Sequence, residues 1–351
     1  MGFSQGDGSL TVPRLTFERQ MTHAKKFMVL SWILGLTLFG IVIAKIGPAV
    51  IWATIRKLTW WNFLVLFMLR GIYWIWRTTG WAIIYREYEG KDLSFFHLFA
   101  ARMADHAISY TTPSAFLGGE PVRVLMTDCT SRKKCLASVV VDKTVEILTM
   151  AVFIFIGAVI AIVQLSIPGR FKVLIAVAVA AACFFGLFLF FKQRQGLFMW
   201  LINILAKVGI RPKFLEKHID KIRELDAHIS DFYKKSRKAF AGTFACYLFL
   251  YMFWALEIHL TLVFLGETHL SFVKSFLVVT MGSAALVFPF IPGSLGTYEL
   301  TNVILFAALG LGTQRGITLT IIRRILSLLF VGLGLLLMVR KQVNRDEALK
   351  L

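Results

Sequence analysis

PSAFLGGEPVR, residues 113–123, interrupts a strongly apolar chain with a proline, two adjacent glycines, a glutamate and an arginine. PFIPGSLGTYE, residues 289–299, repeats the interruption in the second half. Both lie beside segments apolar enough for a hydrocarbon core. There, broken backbone is tolerated only where protein or a water-filled cavity surrounds it. How these two interruptions are read decides the fold.

The surrounding composition sets the class. Of 351 residues, 57% are hydrophobic and 17% charged, with 32 phenylalanines and a mean hydropathy of +0.71. Several apolar runs reach the length that spans a bilayer as a helix, about 20 residues. No alternating pattern of barrel strands appears. The chain reads as an all-α polytopic membrane protein. Full spans are expected at about 27–44, 60–84, 137–166, 171–191, 240–265, 271–290 and 316–339, seven in all. Broken segments are expected at 95–128 and 289–312. A leader at 1–26, read as disordered, and a tail at 342–351 flank a single transmembrane domain at 27–341.

A net charge of +19 would point to nucleic acid in a soluble protein. Here the lysines and arginines collect in connections between apolar runs, which fits membrane orientation and anionic headgroups instead. The leader (Arg14, Arg19, Lys25, Lys26), the loops at 85–94 and 129–135, the linker at 192–238 and the tail are the basic connections. The positive-inside rule then places both termini and the linker in the cytoplasm, on a multi-pass cytoplasmic-membrane protein. The first apolar run is too long for a cleaved signal peptide. The N-terminal Met-Gly is followed at position 6 by Gly, where an acylation signal takes Ser or Thr.

That orientation constrains the broken segments. The loops at 85–94 and 129–135 share a side, so the segment between them enters and leaves by that side. It must be a hairpin of two half-length pieces, with Gly118-Gly119 supplying a reversal that a β-carbon would obstruct. In the second half the span 271–290 and the piece 297–312 make the same excursion from the opposite side. Two broken segments in corresponding places, entered from opposite faces, are the signature of an inverted-repeat transporter. The linker at 213–238 carries Phe214, Leu215, Ile219, Ile222, Leu225, Ile229 and Phe232 at helical spacing. It reads as an amphipathic helix that packs on the bundle or lies on an anionic leaflet.

Ionisable residues inside spans are costly and mark function. Arg70 and Arg77 lie seven apart on one face of the second span, and Arg102, Asp105 and His106 are spaced for an internal ion pair. Glu120 and Arg123 open a new helix after the glycines, Asp142, Lys143 and Glu146 begin the next span, and Arg323 and Arg324 lie in the last. Arginine suits bidentate phosphate recognition and stays charged when buried. Backbone N–H groups after Gly119 and Gly296 would add an anion site. Glu257 and His259, in mid-span, read equally well as structural. The four cysteines, at 129, 135, 183 and 246, lack metal-site spacing. No nucleophile or nucleotide motif occurs, so no catalytic residue, metal or cofactor is expected, and transport would run on a gradient, the membrane potential or equilibration.

These motifs in this order, PSAFLGGEPVR, then VDKTVE at 141–146, then PGSLGTYE at 292–299, resemble the lysylphosphatidylglycerol synthase transmembrane-domain family. The resemblance runs from about 27 to 340 and implies translocation of a lipid with a polar head. Carried over by motif, it assigns Pro113, Gly118, Gly119, Glu120 and Arg123 to the first turn, and Pro292, Gly293, Leu295, Gly296 and Glu299 to the second. Asp142 and Lys143 stand where the family usually has Glu-Arg, with Glu146 following. Ser294 replaces a common glycine, and Tyr298 stands where an arginine often precedes the glutamate. These departures mean that the lipid cannot be borrowed from relatives.

The expectation is a flippase for an anionic lipid, a phospholipid or a polyprenyl-phosphate-linked sugar. Its headgroup would be held by Arg70, Arg77, Arg123, Arg323 and the two turns. The alternative is a membrane-embedded glycosyl- or aminoacyl-type transferase with Asp105 and His106 as its base pair. Expected partners are membrane lipids, other envelope enzymes or a second copy of the chain, and no nucleic acid.

Overall fold

The computed structural model describes residues 47–348 except 57, 90–92, 113–117, 165–168, 208–218, 268 and 284–293, together with residues 37, 41 and 44. The leader, most of the first expected span, Pro113, Phe214, Leu215, Pro292 and Gly293 lie outside the described residues.

Among the described residues the regular structure is helical throughout. The helices are α1 (Pro48–Ile55), α2 (Trp60–Glu89), α3 (Phe95–Thr111), α4 (Glu120–Met126), α5 (Arg132–Gln164), α6 (Gly169–Gln195), α7 (Leu197–Lys207), α8 (Ile219–Lys235), α9 (Arg237–Phe264), α10 (Phe272–Gly282), α11 (Thr297–Ala308) and α12 (Thr313–Ala348). Three stretches, α5, α9 and Thr313–Lys341 of α12, are long and apolar enough to cross a membrane. Only 39%, 44% and 28% of their apolar windows are buried, so most of that surface faces outward. Lipid accepts such a surface, and a water-soluble monomer rarely shows one. Trp60 and Trp61, 74% and 72% exposed, stand at the first turn of α2, where indoles commonly mark a membrane interface. The protein is a multi-pass membrane protein.

Side-chain contacts define two ends of the bundle. Helices α2 and α9 run antiparallel: Thr243 donates to the Gly80 carbonyl at 3.1 Å, Ser236 donates to Glu87 at 2.5 Å, and Arg70 meets Glu257 at 2.6 Å. Helices α3 and α12 are also antiparallel, since Arg324 reaches Tyr110 at 2.9 Å while Gly334 lies against the Met103 carbonyl, and Lys341 reaches the Met126 carbonyl at the end of α4 at 2.6 Å. The start of α3 and the end of α4 therefore share one end with the end of α12. The start of α10 and the end of α11 lie at the other, near the Arg315–Glu267 pair at 2.5 Å.

Close packing depends on small residues. A β-carbon on Gly334 would come within 2.2 Å of the Met103 carbonyl oxygen, and one on Gly157 within 2.3 Å of Thr280 Oγ1. These glycines let α12 approach α3 and α5 approach α10 at backbone distance, a device suited to lipid, where apolar burial does not drive helices together.

The stretch at 192–238 is not one amphipathic linker. Helix α6 continues to Gln195, Gly196 turns the chain at a φ of +99°, and a separate α7 follows. Asp226 of α8 accepts the Phe198 and Met199 amides at 3.2 and 2.7 Å, capping α7. Ile229 and Phe232 are buried in the bundle, so the apolar face of α8 is a packing face.

Gly334→Ala is expected to lower the stability of the detergent-purified protein by about 1–3 kcal/mol through overpacking. Gly332→Ala, where nothing lies within 4 Å, should be neutral or slightly stabilising. Thermal unfolding followed by circular dichroism distinguishes the two.

Candidate functional site

Five helices each contribute one helical stripe to a central cavity of about 380 Å3. Residues 70, 73, 74 and 77 come from α2, residues 102, 105, 106, 109 and 110 from α3, and residues 143, 146, 147 and 150 from α5. Tyr251 and Trp254 come from α9, and residues 320, 323, 324 and 327 from α12. Ser294 and Tyr298, beside the second interruption, close the wall. The three-and-four spacing repeats in every long helix because each turns one face inward.

The cavity wall is cationic. Arg70, Arg77, Arg102, Lys143, Arg323 and Arg324 line it against Asp105 and Glu146. The other carboxylates stand behind these cations. Glu257 holds Arg70 at 2.6 Å, and Glu299 holds Arg324 at 2.9 Å. Asp142 holds Arg102 at 2.8 Å and Arg123 at 2.9 Å, and it also accepts a hydrogen bond from Tyr247. Glu146 pairs with Arg77 and lies 3.6 Å from Lys143. Aromatic faces complete the shell: the guanidinium of Arg123 lies 4.4 Å from the Trp81 ring centre, and Arg323 lies 4.5 Å from that of Trp254. A ring face attracts a cation more strongly where water is excluded.

Arg323 differs from the other arginines of the wall. Among the described residues it has no carboxylate partner. It donates to Tyr298 Oη at 2.9 Å and its guanidinium lies over the Trp254 ring, so a partly buried cation faces the cavity with no carboxylate within ion-pair distance among the described residues. An anion is the ligand that such a group lacks.

Of the residues singled out in the sequence, Arg70, Arg77, Lys143, Glu146 and Arg323 line this cavity together. Arg123, Asp142 and Glu299 stand behind it as partners. Glu120 lines a second, adjoining cavity. Pro113, Pro292 and Gly293 fall outside the described residues.

One expectation is corrected. Arg102 does not pair within its own helix: it crosses to Asp142, while Asp105 faces Arg123 at 3.6 Å. A carboxylate on a neighbouring helix wins because Asp142, fully buried, has stronger need of donors. At Gly119, where φ is −90°, a β-carbon would meet the Asp105 carbonyl oxygen at 2.1 Å, so the obstruction expected from the sequence is present. The amides of the two glycines are themselves engaged. The Gly119 amide donates to Ser109 Oγ at 2.9 Å, and the Gly296 amide to Glu299 Oε2 at 2.7 Å. Gly296 itself, at a φ of +79°, does require glycine's freedom, and Ser294 adopts the left-handed region at +51°.

Arg102, Asp105, His106 and Arg324, noted in the sequence as intramembrane charges but not assigned to the headgroup, also line the cavity, and the aromatic walls Tyr73, Trp74, Tyr251 and Trp254 were not selected. For Tyr73, Trp74 and Trp254 the available signal was a position three or four residues from an intramembrane charge on the same helix. Glu257 and His259 prove to be bonded internally, to Arg70 and to Ser275 at 3.1 Å.

The sequence matches the model of the Lysylphosphatidylglycerol synthase TM region over residues 28–334. The chain belongs to that family. Among curated proteins it is similar to a UPF0104 membrane protein of Methanothermobacter thermautotrophicus, at 24% identity over 84% of this chain and 89% of the relative. It is similar also to a UPF0104 membrane protein of Pyrococcus horikoshii, at 24% identity over 62% and 68%. Matched residues 28–334 contain every helix that builds the cavity, although α12 continues past the match.

Asp142→Asn should destabilise the fold by about 3–5 kcal/mol, because two buried guanidiniums lose their shared counter-charge. Arg323→Gln breaks no ion pair and should shift thermal unfolding far less. Equal shifts in the two variants would contradict the assignment of Arg323 as the uncompensated cation.

Proposed function

We propose that this chain translocates an anionic lipid, a phospholipid or a polyprenyl-phosphate-linked sugar, across the cytoplasmic membrane, with the headgroup in the central cavity. The observation that carries the reading is Arg323, a partly buried arginine facing that cavity without a carboxylate partner among the described residues. A phosphate supplies the missing charge and can take several donors at once. Arg70 keeps Glu257, while Arg77 and Lys143 share Glu146, so the empty cavity is only partly neutralised and Arg323 remains to recruit the ligand.

Family membership supports a lipid as cargo, since the family's description names a lipid synthase's membrane region. The two broken segments support translocation: they enter from opposite ends, as in an inverted repeat, and their inner ends meet at the cavity. In this reading the seven expected spans, including the largely undescribed 27–44, surround that pathway. Arg86, Arg132, Lys133, Lys192, Arg194 and Lys341 cluster at one end of the bundle, which supports placing that end and both termini in the cytoplasm. The transferase alternative is weakened by geometry. Asp105 is engaged by Arg123 and by Ser109 at 3.1 Å, and His106 stacks on Trp74 with ring centres 4.3 Å apart.

The test is lipid movement in liposomes holding the purified protein, with headgroup-labelled phospholipids and a short-chain polyprenyl-phosphate sugar. Wild type should move at least one of them, and Arg323→Gln should slow that movement tenfold or more while eluting as the same monodisperse species. A variant as fast as wild type would remove the central role given to Arg323. Formation of a new lipid product from supplied donor and acceptor would favour the transferase instead.

A further inference from the structure

A second cavity of about 230 Å3 opens beside the first, among the start of α4, one face of α5 and the end of α6. Lys143 and Ile147 stand in the walls of both, so the two spaces share a boundary along α5. Most polar groups in the second cavity are already engaged. Tyr233 donates to Gln193 Oε1 at 3.0 Å, Gln193 Nε2 donates to Thr144 Oγ1 at 2.6 Å, and Thr144 donates to the Val140 carbonyl at 3.0 Å.

Glu120 is the exception. Its Oε2 is shielded from solvent and accepts no hydrogen bond. Among the described residues it forms no ion pair, although two cations are close in the chain or share its cavity. Arg123, one turn along α4, is taken by Asp142 at 2.9 Å, and Lys143 by Glu146 at 3.6 Å. The other carboxylates around the two cavities, Asp105, Asp142, Glu146, Glu257 and Glu299, each pair with an arginine. The site therefore has one cation without an acid, Arg323, and one acid without a cation, Glu120. A first-turn acid on a short helix gains a little from the helix dipole. That gain does not require an oxygen without a hydrogen bond on a residue that lines a cavity.

We infer that Glu120 is the specificity-determining residue of this site, and that it reads a hydrogen-bond donor, a hydroxyl or an ammonium, on the substituent a lipid phosphate carries. The inference rests on the anionic-headgroup reading above. A phosphate against Lys143 on the shared boundary leaves its substituent beside the second cavity. A carboxylate oxygen hidden from water gains a strong, charge-assisted bond when a donor arrives, and keeps its desolvation penalty when the substituent is apolar. The surrounding Val140, Ile147 and Leu189 keep the local dielectric low, which enlarges that difference.

The test is calorimetric titration of the detergent-purified full chain with three soluble phosphate monoesters. Ethyl phosphate has no donor on its substituent, glycerol 3-phosphate has hydroxyls, and phosphoethanolamine has an ammonium. Wild type is expected to bind at least one donor-bearing ester on the order of tenfold more tightly than ethyl phosphate. The ester that gains tells hydroxyl from ammonium. Glu120→Met should abolish the preference between the esters. Glu120→Asp should keep part of the preference, and Arg323→Gln should weaken all three esters. Equal wild-type affinities, or a preference that survives Glu120→Met, overturn the inference while leaving the anionic site standing. Failure of every ester to bind wild type removes the translocation reading, and this inference with it.

Discussion

Asp142 is the point on which the architecture turns. One carboxylate, wholly shielded from solvent, takes Arg102 from α3, Arg123 from α4 and Tyr247 from α9 while standing on α5. Four helices are thereby tied to two oxygen atoms. In hydrocarbon, two guanidiniums would be prohibitive without such a partner, and the partner would be prohibitive without them. The broken first segment exists because this exchange holds it: α4 is only seven residues long, too short to persist alone.

Around that anchor, charges are arranged in depth. Cations face inward and most carboxylates stand behind them, so the cavity shows a positive wall although the cluster is close to balanced. Separating the two layers in this way gives a site that attracts an anion without requiring a large uncompensated charge in the resting protein. Arg323 is where the layering stops, and aromatic rings take over from carboxylates as its neighbours. Rings attract a cation without neutralising it, so the charge remains available to a ligand.

Much of this was legible in the sequence, and the reasons differ for what was not. Hydropathy and the two glycine-proline interruptions gave the all-helical membrane class and the positions of the broken segments. Intramembrane Arg70, Arg77, Lys143, Glu146 and Arg323 stood out by their cost, and the fold brings them together. Partnerships were illegible, because local spacing favours Asp105 for Arg102 while the fold offers Asp142, forty residues away. The aromatic walls were hidden among 32 phenylalanines and other rings that face lipid equally well. Gly119 was legible as a place where a β-carbon would obstruct, but the obstructing group, the Asp105 carbonyl, was not.

Arg324 ties the two broken segments to each other. It bonds Tyr110 at the inner end of α3, the Ser294 carbonyl and the Glu299 carboxylate from a single guanidinium. While those bonds hold, the inner ends of the two segments share one degree of freedom instead of having two. A displacement of α3 that widens the cavity toward its own end is transmitted to α11, and the reverse holds as well. Movement of either inner end therefore strains the same guanidinium on α12.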